Sequence, residues 1–431
     1  MTNKIPSPPD VQQHAPASPG RRSMLLSLGA AGSGALLGAM AQARADSSTG
    51  PATADLQAGD HRPWLGIQQA GVTTPRQIMG LVISFNVLAT TPADLERLFL
   101  TLTDRIAFLT QGGTPPVADP KFPPPDSGLM GPVVMPDNLT ITLAVGSSLF
   151  DGRFGLATKK PAQLKPMPSF TNDALVAELC HGDLLVQICS NTTDCNLHAL
   201  RDIVKHTPDL LMVRWKQEGF APPARSAGES KASPRNLLGF KDGTANPKTD
   251  DADTMDRLVW IPPSSREPAW TANGTYMVVR IIRNFVERWD RTPLQEQQSI
   301  IGREKITGAP LTLKAEFDTP VYHDDPEGKR TPLDAHIRLA NPRTPETEKN
   351  IILRRPFNYS NGVSKSGQLE MGLLFICFQS DLDAGFATVQ ARLDGEPLEE
   401  YIKPVGGGYF FVLPGITDKN AFIGQSLLSS A

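Results

Sequence analysis

Leu81-Val82-Ile83-Ser84-Phe85-Asn86-Val87-Leu88, followed closely by Thr90-Thr91-Pro92-Ala93-Asp94, is the stretch that decides the fold. An apolar run ends in a Thr able to accept the unpaired amides of a helix start, with Pro just inside the first turn. Beyond it, Leu95, Leu98, Phe99, Leu102, Ile106 and Leu109 share one face at helical spacing. A buried strand therefore hands over to an amphipathic helix.

The same handover recurs three times. Leu184 to Cys189 leads through Asn191-Thr192-Thr193-Asp194 to Leu197, Leu200, Ile203 and Val204. Tyr276 to Ile282 leads through Arg291-Thr292-Pro293 to a helix ending near Ile300. Leu373 to Phe378 leads through Ser380-Asp381 to Leu382, Phe386, Val389 and Leu393. Two such units close one layer of helix on sheet, so four predict an α+β protein of two related ferredoxin-like (split βαβ) domains. The stretch Ala221 to Ser230, short of large apolar side chains, divides them into residues 46–225 and 226–431. Gly112 to Pro136 is a Pro-rich excursion within the first, and Gly406-Gly407-Gly408 is expected to turn the chain tightly into the apolar run Tyr409 to Leu413.

Composition narrows the function. Gly 36 and Pro 39 make about 17 % of 431 residues, a loop-rich chain, while 40 % hydrophobic residues suffice for real cores. A net charge of −3 offers no nucleic-acid or anionic-membrane surface. Arg21-Arg22 precede an apolar, Gly- and Ala-rich run from Met24 to Met40, and Ala43-Arg44-Ala45 supplies a small-x-small cleavage site. Residues 1–45 thus read as a twin-arginine signal for the periplasm. Its removal leaves 38 Lys plus Arg against 44 Asp plus Glu, a net of −6. That export machinery carries folded proteins, which favours a prosthetic group loaded before export.

Cys189 and Cys377 sit in strand-like runs and read as small buried hydrophobes; a Cys180–Cys195 or Cys180–Cys189 bridge is the alternative. With no Cys-x-x-Cys-His, covalent c-type haem attachment is excluded. Trp64, Trp215, Trp260, Trp270 and Trp289 are either core or relays to large electron donors.

Two polar stretches stand apart from ordinary loops. Gly239-Phe240-Lys241-Asp242-Gly243-Thr244-Ala245-Asn246-Pro247 aims a carboxylate from between glycines, or is simply an Asp-Gly turn. Asp334-Ala335-His336-Ile337-Arg338-Leu339-Ala340-Asn341-Pro342-Arg343, with Leu353-Arg354-Arg355-Pro356, gathers one histidine and several arginines suited to an anionic, metal-containing ligand. A hydrogen-bonded histidine on a solvated charged face is the plainer alternative.

Together the stretches resemble the dye-decolourising peroxidases. The first is similar to that family's Gly-x-x-Asp-Gly signature, the second to its proximal-ligand segment, and Arg354 falls where the family places its distal arginine. Gln69-Ala70-Gly71-Val72-Thr73-Thr74-Pro75 and Gly406 to Gly415 resemble its opening segment and closing strand, so the likeness runs from about Trp64 to the C-terminus. With the export signal, it is nearest to the family's deferrochelatase branch. Gln68, where many members carry His, is a departure outside the haem site.

The resemblance implies haem b, held non-covalently in the second of two tandem domains. It implies His336 as the axial ligand to iron, Asp242 and Arg354 on the open face, and Gly243, Thr244, Ala245, Asn341, Pro342 and Arg343 along the porphyrin. Glu396 is the expected partner of the far imidazole nitrogen. Hydrogen peroxide with bulky reducing donors, or haem itself, would be substrates. Iron extraction with the porphyrin intact, iron-uptake partners and a homodimer are further implications; a haem carrier without turnover is the rival.

Overall fold

The computed structural model describes residues 61–222 and 233–429. The export signal read over residues 1–45 lies outside them, as does most of the linker read at 221–230. The strands are β1 Met79–Val87, β2 Thr140–Gly146, β3 Leu184–Ser190, β4 Leu211–Phe220, β5 Thr275–Asn284, β6 Leu353–Arg354, β7 Phe357–Val363, β8 Leu369–Gln379 and β9 Ile402–Val412. The α-helices are α1 Pro92–Gln111, α2 Thr193–His206, α3 Ala252–Leu258, α4 Val286–Trp289, α5 Leu294–Ile301, α6 His336–Ala340, α7 Thr388–Arg392 and α8 Gln425–Ser429.

The first half runs β1-α1-β2-β3-α2-β4 with strands ordered β2-β3-β1-β4, and the second runs β5-α5-β7-β8-α7-β9 with strands ordered β9-β5-β8-β7. These are two copies of the split βαβ arrangement. β2 pairs with β9 and β4 meets β7 at Phe220 and Asn358, joining the halves edge to edge. With β5 also paired to β8, eight antiparallel strands close into a barrel, which removes the open edges two separate sheets would present.

Alternation assigns the two faces. Val82, Leu185, Met277, Val279, Ile376 and Phe410, drawn from both halves, pack together inside. Their neighbours Leu81, Ile83 and Phe85 face outward, where α1 presses Leu95, Leu98, Phe99 and Leu102 onto them. Each such buried side chain contributes about 1.5–3 kcal/mol relative to exposure. Two helix starts are as the sequence indicated: Thr91 Oγ1 accepts from Asp94 N at 3.1 Å and Thr192 Oγ1 from Cys195 N at 3.4 Å.

One expectation changes, and two helix starts take forms the sequence does not specify. Gly406, Gly407 and Gly408 lie within β9 rather than in a turn before it. Gly407 has φ +118°, and a Cβ there would stand 1.9 Å from Val279 O, so the strand approaches β5 too closely for any side chain. The fourth helix begins with a wide five-residue turn, Asp383–Ala387, and becomes α-helical only at Thr388. Thr292 does not cap α5; its hydroxyl bonds Arg288 O and Tyr401 Oη instead.

The four cysteines are buried free thiols, so neither bridge weighed from the sequence forms. Trp215, Trp260, Trp270 and Trp289 are buried core residues. Among the described residues no helix is long and apolar enough to cross a membrane.

A buried contact helps to fasten the excursion after α1. His198 on α2 lies 2.6 Å from Asp126 Oδ2, while Gly128 N donates to Oδ1 at 2.7 Å. Burial alone would raise the Asp126 carboxyl, but the Gly128 amide and His198 outweigh it and hold it below its ordinary range. A depressed folded pKa gives stability that is present above the unfolded value and lost as pH falls through the folded one. Asp126→Asn should therefore lower Tm by a few degrees at neutral pH, and the deficit should shrink below about pH 4. A Tm deficit independent of pH would contradict this assignment.

Candidate active site

Asp242 and Arg354 are brought together by a residue whose role the sequence did not disclose. Arg354 lies on the two-residue strand β6, paired with Cys377 on β8. Asn246, four residues after Asp242, grips the backbone of Arg354 from both sides: its Nδ2 donates to Arg354 O at 2.7 Å and its Oδ1 accepts from Arg354 N at 2.8 Å. With Asp242 N donating to Pro234 O at 2.8 Å, the Asp loop and the Arg strand are fixed to each other. Arg354 Nη1 then donates to Asp242 Oδ1 at 2.9 Å.

His336 is the first residue of α6. That short helix is anchored by Arg338, which donates to Thr331 O at 2.8 Å, Asp325 O at 2.8 Å and Asp325 Oδ2 at 3.2 Å. The His336 Nδ1 stands 2.7 Å from Oε2 of Glu396, a carboxylate whose side chain is only 3 % exposed. Burial pulls the imidazole's pKa down, but the facing Glu396 charge and hydrogen bond outweigh it and carry it above the usual histidine value. Held this way, Nδ1 is the protonated nitrogen and Nε2 is left as the electron-pair donor.

Both groups line one cavity of about 260 Å³, against roughly 10–15 Å³ for a single buried water. It separates the outer face of β5, β8 and β9 from α5, α6 and α7. Ile337, Ile352, Phe375, Phe386, Val389 and Leu393 make its walls apolar. Gly243, Thr244, Ala245, Asn341 and Arg343 line it, whereas Pro342 does not reach it. Arg280 and Arg303 line it too, a contribution the sequence pattern did not single out.

The comparisons with known proteins bear on this arrangement. Residues 69–221 match the family model for Dyp-type peroxidase, N-terminal, and residues 233–417 the model for Dyp-type peroxidase, C-terminal. The chain belongs to the Dyp-type peroxidase family. It is 56 % identical over 419 residues to a deferrochelatase of Yersinia pestis, covering 96 % of each chain. It is 55 % identical over 413 residues to that of an Escherichia coli strain, covering 95 % of this chain and 97 % of the relative. Among solved structures, the DyP-type peroxidase of Cellulomonas bogoriensis aligns with TM-score 0.76 and 35 % identity over 86 % of this chain and 98 % of that one. Ferric DtpA of Streptomyces lividans aligns with TM-score 0.77 and 34 % identity over 86 % and 97 %.

A Dyp-type peroxidase is a haem enzyme, and the residues present fit a haem group. Gly243, with φ +107°, has nothing within 4 Å of where a Cβ would stand, leaving its backbone bare toward the cavity. Arg343 has φ +60°, and its buried Nε has no hydrogen-bond partner among the described residues. An unsatisfied buried guanidinium nitrogen suits an anionic edge such as a propionate. Among the described residues lining the cavity, His336 is the only histidine, and none is cysteine or methionine.

Proposed function

We propose that this chain is an exported peroxidase that binds haem b non-covalently, in which His336 Nε2 would hold the iron and Asp242 and Arg354 would act on the peroxide. The observation that carries the reading is convergence. A histidine oriented by a buried carboxylate and an acid–guanidinium pair line the same apolar-walled cavity. The cavity's polar side chains named above come from residues 226–431, the second of two tandem domains, with 46–225 as the first.

Bound haem would supply the redox centre that accepts oxidising equivalents from peroxide and passes them to donors. The protein's part is proton handling. Asp242 Oδ2 has no hydrogen-bond partner among the described residues, so it is free to take a proton from one peroxide oxygen and return it to the other as the O–O bond breaks. Arg354 stabilises the charge gathering on the departing oxygen. Glu396 would raise the donor strength of the His336 imidazole through its grip on Nδ1. Gly243, Thr244, Ala245, Asn341 and Arg343 would flank the ring, with Pro342 bracing the last two.

The identity to deferrochelatases over nearly the whole chain supports a second task, with haem as substrate and its iron released for uptake. Two protons must then replace iron on the pyrrole nitrogens, and Asp242 is the group placed to hand them in. Residues 1–45 would direct the folded, haem-loaded protein through the twin-arginine machinery to the periplasm, where iron-uptake proteins would take the iron; a homodimer is the expected state.

Incubation with haem followed by pigment extraction tests the task directly. Free protoporphyrin is the expected product. Recovery of haem alone would restrict the chain to peroxidation. Equal, slow peroxide turnover by wild type and the Asp242→Ala/Arg354→Ala double variant would mark a haem carrier instead.

A further inference from the structure

Glu316 has no part in the chemistry above, yet it touches both flanks of Asp242. It lies on the excursion between α5 and α6 and is 7 % exposed. Its Oε1 accepts from Ser233 N at 3.0 Å and from Thr244 Oγ1 at 3.0 Å, while its Oε2 accepts from Lys241 Nζ at 2.6 Å. Arg303 Nη1 donates to Glu316 O at 2.9 Å, which fixes the backbone that carries it. Burial pushes the Glu316 carboxyl up, but these donors outweigh it and hold it ionised, below the ordinary range.

The charges around Asp242 show what this accomplishes. Arg354 holds Oδ1. The fields of His336 on α6 and of Arg76, which lines a narrow cleft behind Asp242, also act on it. Lys241 is the residue immediately before Asp242 and carries a long, flexible ammonium. Unheld, that ammonium would be free to settle on the unpartnered Oδ2 and block it as a base. Glu316 keeps it engaged elsewhere.

We propose that Glu316 is a positioning residue for the proton transfer at Asp242. One oxygen fastens the Asp242 loop, and the other holds the Lys241 ammonium away from the working carboxylate oxygen. The proposal rests on the role given to Asp242, and the test separates the two.

Glu316→Gln keeps an acceptor for Ser233 and Thr244 but cannot hold Lys241 as an ion pair. Its rate constant for reaction with hydrogen peroxide, followed at the Soret band of the haem-loaded protein, should fall about tenfold. Removing the released charge in Lys241→Met/Glu316→Gln should restore the rate to within about twofold, a rescue that a merely structural role would not give. In the Asp242→Asn background, Glu316→Gln should change the rate by less than about twofold.

A readout independent of haem is amide hydrogen exchange over residues 239–246. It should match wild type in Glu316→Gln and be about tenfold faster in Glu316→Ala, where both fastenings are gone. A Glu316→Gln rate equal to wild type alongside a slow Asp242→Asn would overturn this proposal alone, as would failure of the double variant to recover. A wild-type rate in Asp242→Asn would overturn the role of Asp242 and this proposal with it.

Discussion

Asp242→Asn protein should load with haem, keep its Soret band and react with hydrogen peroxide about 10²–10⁴-fold more slowly than wild type. The substitution preserves shape, and the amide oxygen can still accept from Arg354 Nη1, now 2.9 Å from Oδ1. It removes only the capacity to take a proton. The other polar groups near that face are donors: Arg354 is already engaged, and Lys241 is bound to Glu316. Of the other carboxylates lining the cavity among the described residues, Glu396 is engaged by His336 and Glu399 stands on the same short turn as Glu396, so the loss should be large. Stopped-flow mixing at neutral pH measures it, and a rate within about threefold of wild type would remove Asp242 from the mechanism.

His336→Ala should be colourless. Among the described residues lining the cavity, that substitution deletes the one imidazole and leaves Glu396 buried without its partner. Two costs then add: the iron loses its strong protein ligand, and an unpaired carboxylate remains in an apolar wall. The scaffold should survive, because α6 is anchored through Arg338 rather than through the histidine. Titrating hemin into the variant should give no protein-bound Soret band at stoichiometric haem. An unchanged spectrum would show that iron is held elsewhere.

Much of the fold was legible because its signals are local. Thr91 and Thr192 cap helices that the sequence marks with Thr before an apolar period, and Leu95 to Leu109 form a stripe that needs no tertiary knowledge to read. Closure of the barrel was not legible. It depends on β2 meeting β9 and β4 meeting β7, pairings between strands more than 130 residues apart that no periodicity encodes. The glycines of β9 were misread for the same reason: what excludes a side chain at Gly407 is Val279 O on another strand.

The site divides along the same line. His336, Asp242 and Arg354 stand out as chemically suited residues in unusual company. Asn246 lies in the quoted Asp242 stretch without a role legible there, because its function is a two-way grip on a backbone 108 residues away. Glu316 sits in a polar excursion whose sequence carries no motif, and only the fold shows that it reaches Ser233, Lys241 and Thr244. Arg280 and Arg303 were hidden differently, since an arginine in a strand or loop announces nothing until the cavity beside it is visible. Pro342 shows the converse limit: membership of a motif does not bring a side chain to the cavity wall.

The most direct test of the central claim is the iron–imidazole stretching band of the ferrous, haem-loaded protein in resonance Raman spectra. With His336 as the ligand and Glu396 gripping its Nδ1, the band should be present, shift on iron-isotope substitution, and move to lower frequency in Glu396→Gln as the imidazole loses donor strength. A spectrum with no such band, or one untouched by Glu396→Gln, would contradict the account.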